Sequence, residues 1–124
     1  MGTWTDDELE KIAAADELQI ASPRPDGALR KPVTIWVVRH GDDLYVRSAY
    51  GSNAAWFRGT RIRGEGVISS GGIIKNVSFV AADEGVNDAI DAAYRAKYRR
   101  YPAMYVDHVV SPEARATTIK LVPS

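Results

Sequence analysis

The sequence contains no cysteine. That absence excludes disulfides, thiolate metal ligands and cysteine nucleophiles, and a reducing, cytoplasmic setting is the expectation. Histidine is almost as scarce. His40 and His108 are the only two, too few to build the three- or four-ligand metal sites that histidine and cysteine usually supply, so no metal is expected. Charge of one sign is not in excess either: sixteen Lys plus Arg balance sixteen Asp plus Glu, which removes any whole-molecule attraction to nucleic acid. No apolar run approaches the roughly 20 residues of a membrane span. The opening MGTWTDDELEKI lacks the basic and apolar regions of an export signal, so neither export by that route nor a membrane location is expected. At 124 residues the chain has room for one core, and a single domain over residues 1–124 is expected.

What is present concentrates between Lys31 and Arg58. Val33 to His40 is apolar on both faces of a period-2 pattern, with Val33, Ile35 and Val37 pointing one way and Thr34, Trp36 and Val38 the other, so the strand is expected to be covered on both sides. His40-Gly41-Asp42-Asp43 is turn chemistry, and Leu44 to Ser48 returns as the second arm of a hairpin. Tyr50-Gly51-Ser52-Asn53 follows, with Ser52 or Asn53 placed to cap a short helix carrying Trp56 and Phe57. Such a helix start leaves N–H groups free for an anion.

Elsewhere, Thr5-Asp6-Asp7-Glu8 reads as a capping box opening a helix to about Ala15. Glu17 to Ser22 is a first strand closed by Pro23-Arg24-Pro25-Asp26-Gly27. Gly66 to Ser70 and Ile73 to Ala81 flank Gly71-Gly72 as a second hairpin. From Asp83, Val86, Ala89, Ile90, Ala93, Tyr94 and Tyr98 give helical spacing over four turns, ended near Pro102. Tyr105 to Val110 reads as either loop or short strand, and Ala116 to Val122 as the last strand. About six antiparallel strands, with a helix at the start, a short one in the middle and a long one late, describe an α+β fold on a small barrel or strongly curved sheet. A strand apolar on both faces, in a chain with few helices, also calls for outside cover, and a homodimer is expected.

Asp107, His108 and Ser111 contain the letters of a hydrolytic triad, but near neighbours in sequence rarely take triad geometry and a surface turn explains them better. His40 is a hairpin-tip residue. Trp36, Trp56 and Phe57 fit either stacking on a planar ring or, more economically, core packing. Tyr94, Tyr98, Tyr101 and Tyr105, interleaved with Arg95, Lys97, Arg99 and Arg100, read as one amphipathic helix with a solvated basic face rather than as a nucleic-acid surface. The stronger anion-binding candidates are Arg30, Lys31, Arg47, Ser48 and the loop Tyr50 to Asn53, where guanidinium forks and small residues can meet a phosphate.

The run from Pro32 to Arg58, PVTIWVVRHGDDLYVRSAYGSNAAWFR, resembles the FMN-binding split β-barrel superfamily, which includes pyridoxamine-phosphate oxidases and deazaflavin-dependent nitroreductases. The whole chain resembles most closely an uncharacterised bacterial family within it. The resemblance implies a split barrel, usually a homodimer, binding FMN or a deazaflavin for two-electron chemistry on a small organic substrate. By position it assigns cofactor contacts to Arg30, Lys31, Pro32, Thr34, Ser48, Tyr50, Gly51, Ser52 and Asn53, with Trp56 bracing the helix behind the loop. If such a cofactor binds, Trp36 or Tyr50 is expected to border the ring, and Tyr50 or Tyr98 is able to donate a proton. The run departs from the nitroreductases in its shorter loop and in the few basic residues, Arg58, Arg61 and Arg63, that follow it. A cofactor-free module for a small molecule, and a non-redox biosynthetic enzyme using the same cleft, are the alternatives.

Overall fold

The computed structural model describes residues 2–124. In chain order the elements are α1 (Asp6–Ala14), β1 (Leu18–Ala21), β2 (Val33–Ile35), β3 (Val38–His40), β4 (Asp43–Val46), α2 (Ala55–Ile62), β5 (Glu65–Ser70), β6 (Ile73–Ala81), α3 (Asn87–Lys97), α4 (Ala103–Val109), α5 (Pro112–Arg115) and β7 (Ile119–Pro123). Short 3-10 turns lie at Gly51–Asn53 and Glu84–Val86. All the strands form one antiparallel sheet in the order β2-β1-β5-β6-β7-β4-β3.

That order explains the sheet's shape. β2 and β3 occupy opposite edges, yet only Trp36 and Val37 separate them in the chain. Two residues span only about 7 Å, so the sheet must curl until its edges nearly meet. The fold is α+β, a curled antiparallel half-barrel. The expected six strands become seven because the run Val33 to His40 is not continuous: its first half pairs with β1 and its second half with β4.

Side chains of the last residue of α3 and of its C-cap satisfy the backbone groups freed at this crossover. The Tyr98 hydroxyl accepts from the Val37 N–H at 3.2 Å and lies within donating distance of two carbonyls, Asp16 at 2.6 Å and Val37 at 3.1 Å. Lys97 Nζ also donates to the Val37 carbonyl, at 2.7 Å. The alternation of the run survives the break. Val37 joins the interior cluster of Leu9, Ile12, Leu18, Ile20, Leu44, Val46, Trp56, Phe57, Ile68 and Leu121, whereas Val38 joins Tyr45, Ile90, Tyr94, Tyr98, Val106 and Val109 beneath α3 and α4. The expectation of cover on both sides holds for Val37 and Val38 but not for Val33 and Thr34, which are exposed on the edge strand.

Thr5 caps α1 through the expected capping box: its hydroxyl accepts from the Glu8 N–H and Glu8 returns the bond to the Thr5 N–H. Gly71 and Gly72, both at positive φ, close the β5–β6 hairpin. Three expectations are corrected. Neither Ser52 nor Asn53 caps α2, because both are drawn into the 3-10 turn and the cap position falls to Ala54, which has no side-chain oxygen. The segment from Tyr105 is helix α4, not loop or strand, and α5 follows it, with Ser111 as its cap. The late helix proper is α3, eleven residues long, with the residues before it in a 3-10 turn.

Candidate functional site

A cleft of about 400 Å³ opens between β2, the end of β4, the start of α2 and one face of α4. Val33, Ile35, Trp36 and Trp56 give it apolar walls, Thr34 and Ser48 supply hydroxyls, and Tyr105, His108 and Val109 of α4 close the remaining side. Its size and mainly apolar lining with few polar groups are those of a small-molecule site.

Of the residues singled out in sequence, the fold brings Thr34, Trp36, Ser48 and Tyr50 into this lining, whereas Arg30, Lys31, Pro32, Gly51, Ser52 and Asn53 fall outside it. Arg30, Lys31 and Pro32 precede β2, and the Arg30 N–H donates to the Ser22 carbonyl at 2.9 Å. Gly51 is buried, while Ser52 and Asn53 are exposed on the 3-10 turn.

Trp36 is held flat. Its ring stacks on Tyr98 with centroids 3.9 Å apart and planes 4° from parallel, and Tyr101 meets it edge-on at 5.2 Å. Burial raises the Tyr98 phenol well above its ordinary range, and its hydroxyl is engaged with the crossover. Tyr98 therefore serves as a brace, not as the proton donor considered from sequence. Tyr50, 80% exposed, leans over the mouth with its ring 5.7 Å from that of His108.

Arg47 reaches the cleft wall but is not free to bind an anion. Its side chain is fully buried, donating from Nε to Thr118 Oγ1 at 2.8 Å, from Nη1 to Asp91 at 2.5 Å and to the Val109 carbonyl at 3.0 Å, and from Nη2 to Asn87. This corrects the reading of Arg47 as a phosphate ligand. Three buried polar atoms among the described residues do lack partners: Ser48 Oγ, on the cleft wall, Arg30 Nε, just before β2, and Tyr94 Oη, in the cluster beneath α3.

A family model described as "Uncharacterized protein conserved in bacteria (DUF2255)" matches residues 8–121. The chain belongs to the DUF2255 family. No curated protein matches it. Among solved structures, a candidate pyridoxamine 5'-phosphate oxidase from Listeria innocua superposes with a TM-score of 0.65 at 16% identity, covering 96% of this chain and 92% of that one. An F420 reductase gives 0.59 at 17% identity, with 97% and 96% covered. An FAD-binding protein from Mesorhizobium loti gives 0.56 at 14%, with 98% and 91% covered. At these identities the likeness establishes the split-barrel fold, as the sequence resemblance implied.

The α4 wall of this DUF2255 chain escaped sequence reading. Tyr105, His108 and Val109 stand at i, i+3 and i+4, the spacing of one helical face, while Val106 and Val109 turn into the second core cluster. The signal was present but short, and the valines around it favoured a strand. Asp107, His108 and Ser111 form no triad: the Ser111 hydroxyl donates to the His108 carbonyl and caps α5, and Asp107 pairs with Arg95. No group of three metal-ligating side chains occurs among the described residues, and no described helix is long and apolar enough to cross a membrane.

Proposed function

We propose that the cleft binds the planar ring of FMN or a deazaflavin, and that the chain is a small oxidoreductase acting on a small organic molecule. The observation that carries this reading is the buried, unpartnered Ser48 Oγ on the wall of an aromatic-lined cleft. A buried hydroxyl without a partner is costly, and a polar atom on a ring edge would satisfy it. Trp36, already fixed in orientation by Tyr98, would face the ring, and Trp56 would support it. Arg30, Lys31, Pro32, Gly51, Ser52 and Asn53 flank the cleft's two leading segments in sequence and are proposed for the phosphate end, with Thr34 between them and the ring. When bound, the cofactor supplies the hydride chemistry, and the protein orients it and excludes water. The neighbours named for flavin-type cofactors support the choice of ligand.

A cytoplasmic homodimer is part of the same proposal. Val33, 38% exposed, and Tyr105, 53% exposed, stand beside the cleft on an open edge strand and on α4, and a second copy would cover them. The committed guanidinium of Arg47 favours one other reading: a cofactor-free site, in a binding module or a non-redox enzyme, for a planar apolar molecule without a phosphate.

Titration with FMN and with F420, followed by ligand fluorescence, tests the proposal. Saturable quenching by one of them is expected. Failure of both to bind, with a colourless purified protein, would overturn it. Ser48→Ala is expected to leave the melting temperature of the cofactor-free protein unchanged or raise it slightly, while weakening cofactor binding about tenfold.

A further inference from the structure

A second depression, about 500 Å³, borders a different face of α2, and the proposed cofactor site leaves it unused. Phe57, Phe79, Ile119 and Ala82 give it an apolar floor, with Arg61 and Glu84 among the charged residues around it. The two cations that line it differ in what they already hold. Arg115 is committed, pairing with Asp88 at 3.0 Å and Asp91 at 3.2 Å. Arg61 forms none of the ion pairs found among the described residues; its guanidinium lies over the Phe57 ring at 4.9 Å. Stacking on a ring restrains a guanidinium while leaving its in-plane N–H groups open, the arrangement that receives a carboxylate. Glu84 on the same lining disfavours a second negative charge.

The depression and the cofactor cleft share a wall. Thr117 and Thr118 line the one, Ser48 and Arg47 the other. The Ser48 N–H donates to Thr117 Oγ1 and Arg47 Nε to Thr118 Oγ1, each at 2.8 Å.

We propose that this depression binds a small organic monocarboxylate with an aromatic or branched apolar body, its carboxylate on Arg61 and its body against Phe57 and Phe79. The site stands independently of any cofactor in the cleft, and its occupancy is felt at Ser48 through Thr117.

The test is a titration of isotope-labelled, cofactor-free protein with phenylacetate, followed by amide chemical shifts. Saturable shifts are expected at Ala82, Thr117 and Thr118, with a smaller one at Ser48 and half-saturation near about 1 mM. Arg61→Gln, at an exposed position, is expected to keep the spectrum of the folded protein and to weaken binding at least about tenfold. Tyr50→Ala, at the mouth of the other cleft, is expected to leave binding unchanged. Benzylamine, the same body with the opposite charge, is expected to give no response. The proposal is overturned if phenylacetate produces no shift up to about 20 mM, if benzylamine binds equally well, if Arg61→Gln binds like the parent, or if the shifts centre on Val33, Trp36 and Tyr50.

Discussion

Replacing Tyr98 with Phe removes a single oxygen and isolates the cost of holding the crossover together. The ring remains, so the stack on Trp36 at 3.9 Å is kept. What is lost is the acceptor for the Val37 N–H and a donor to the Asp16 carbonyl; the Val37 carbonyl keeps Lys97. Val37 is fully buried, so its N–H has no water to turn to. An abandoned buried donor costs about 1–3 kcal/mol and the lost neutral bond about 1 kcal/mol more, which puts the destabilisation at about 2–4 kcal/mol. For a chain of this length the entropy of unfolding at the midpoint is about 0.26 kcal/mol per degree, so the melting temperature should fall by about 8–15 °C. Equilibrium unfolding in urea, followed by tryptophan fluorescence, measures the change directly. The exposed Tyr105→Phe serves as the control and should stay within about 0.5 kcal/mol. A Tyr98→Phe midpoint indistinguishable from that control, at unchanged m, would refute the claim that this hydroxyl clamps the crossover.

Asp91→Ala should cost about 3–5 kcal/mol, because it leaves the buried Arg47 charge without its carboxylate; Arg47→Met should cost less, since Asp91 keeps Arg115 at 3.2 Å, and urea unfolding of both ranks them. Gly59→Ala should destabilise by about 2 kcal/mol or more, because a Cβ there would lie 2.5 Å from the Pro23 carbonyl oxygen and 2.4 Å from Ser22 Oγ, where α2 packs on the end of β1; a thermal melt within a degree of the parent would contradict this. Burial pulls the Lys97 ammonium down to about 8, against the attraction of Asp16 and with some help from Arg100. A cation whose folded value is depressed binds fewer protons folded than unfolded, so stability contributed by this site should rise as pH increases from about 8 toward 10. Solvent screening holds the gain to about 1 kcal/mol. Lys97→Met should flatten that rise in a comparison of urea midpoints across the window.

Much of the chain's order is legible in its sequence. The capping box at Thr5, the Gly71-Gly72 hairpin and the inward and outward alternation of Val37 and Val38 are local rules, and local rules were obeyed. The break at Trp36-Val37 was not legible, because periodicity reports which face a residue takes and is silent about which neighbour its backbone pairs with. Likewise an arginine next to a serine on a strand reads as an anion site until a helix distant in sequence brings Asp91 and Asn87 to its guanidinium. The α4 wall was lost to a run of valines whose helical spacing covers only two turns. The cleft was therefore half visible: its strand and loop side could be read, whereas the side contributed by residues 105–109 depends on how the helices pack.

The strand order also dictates when the cleft can exist during synthesis. β4, early in the chain and carrying β3 on its other side, finds its second sheet partner in β7, through pairs such as Leu44 with Leu121 and Val46 with Ile119, and the Ser48 N–H waits for Thr117. A nascent chain can assemble α1, β1, β5 and β6 as they emerge. The wall that carries Ser48 has nothing to lean on until Thr117 and β7 have been made. A chain lacking β7 would thus keep the β2-β1-β5-β6 part of its sheet and lose the wall of the proposed ligand cleft.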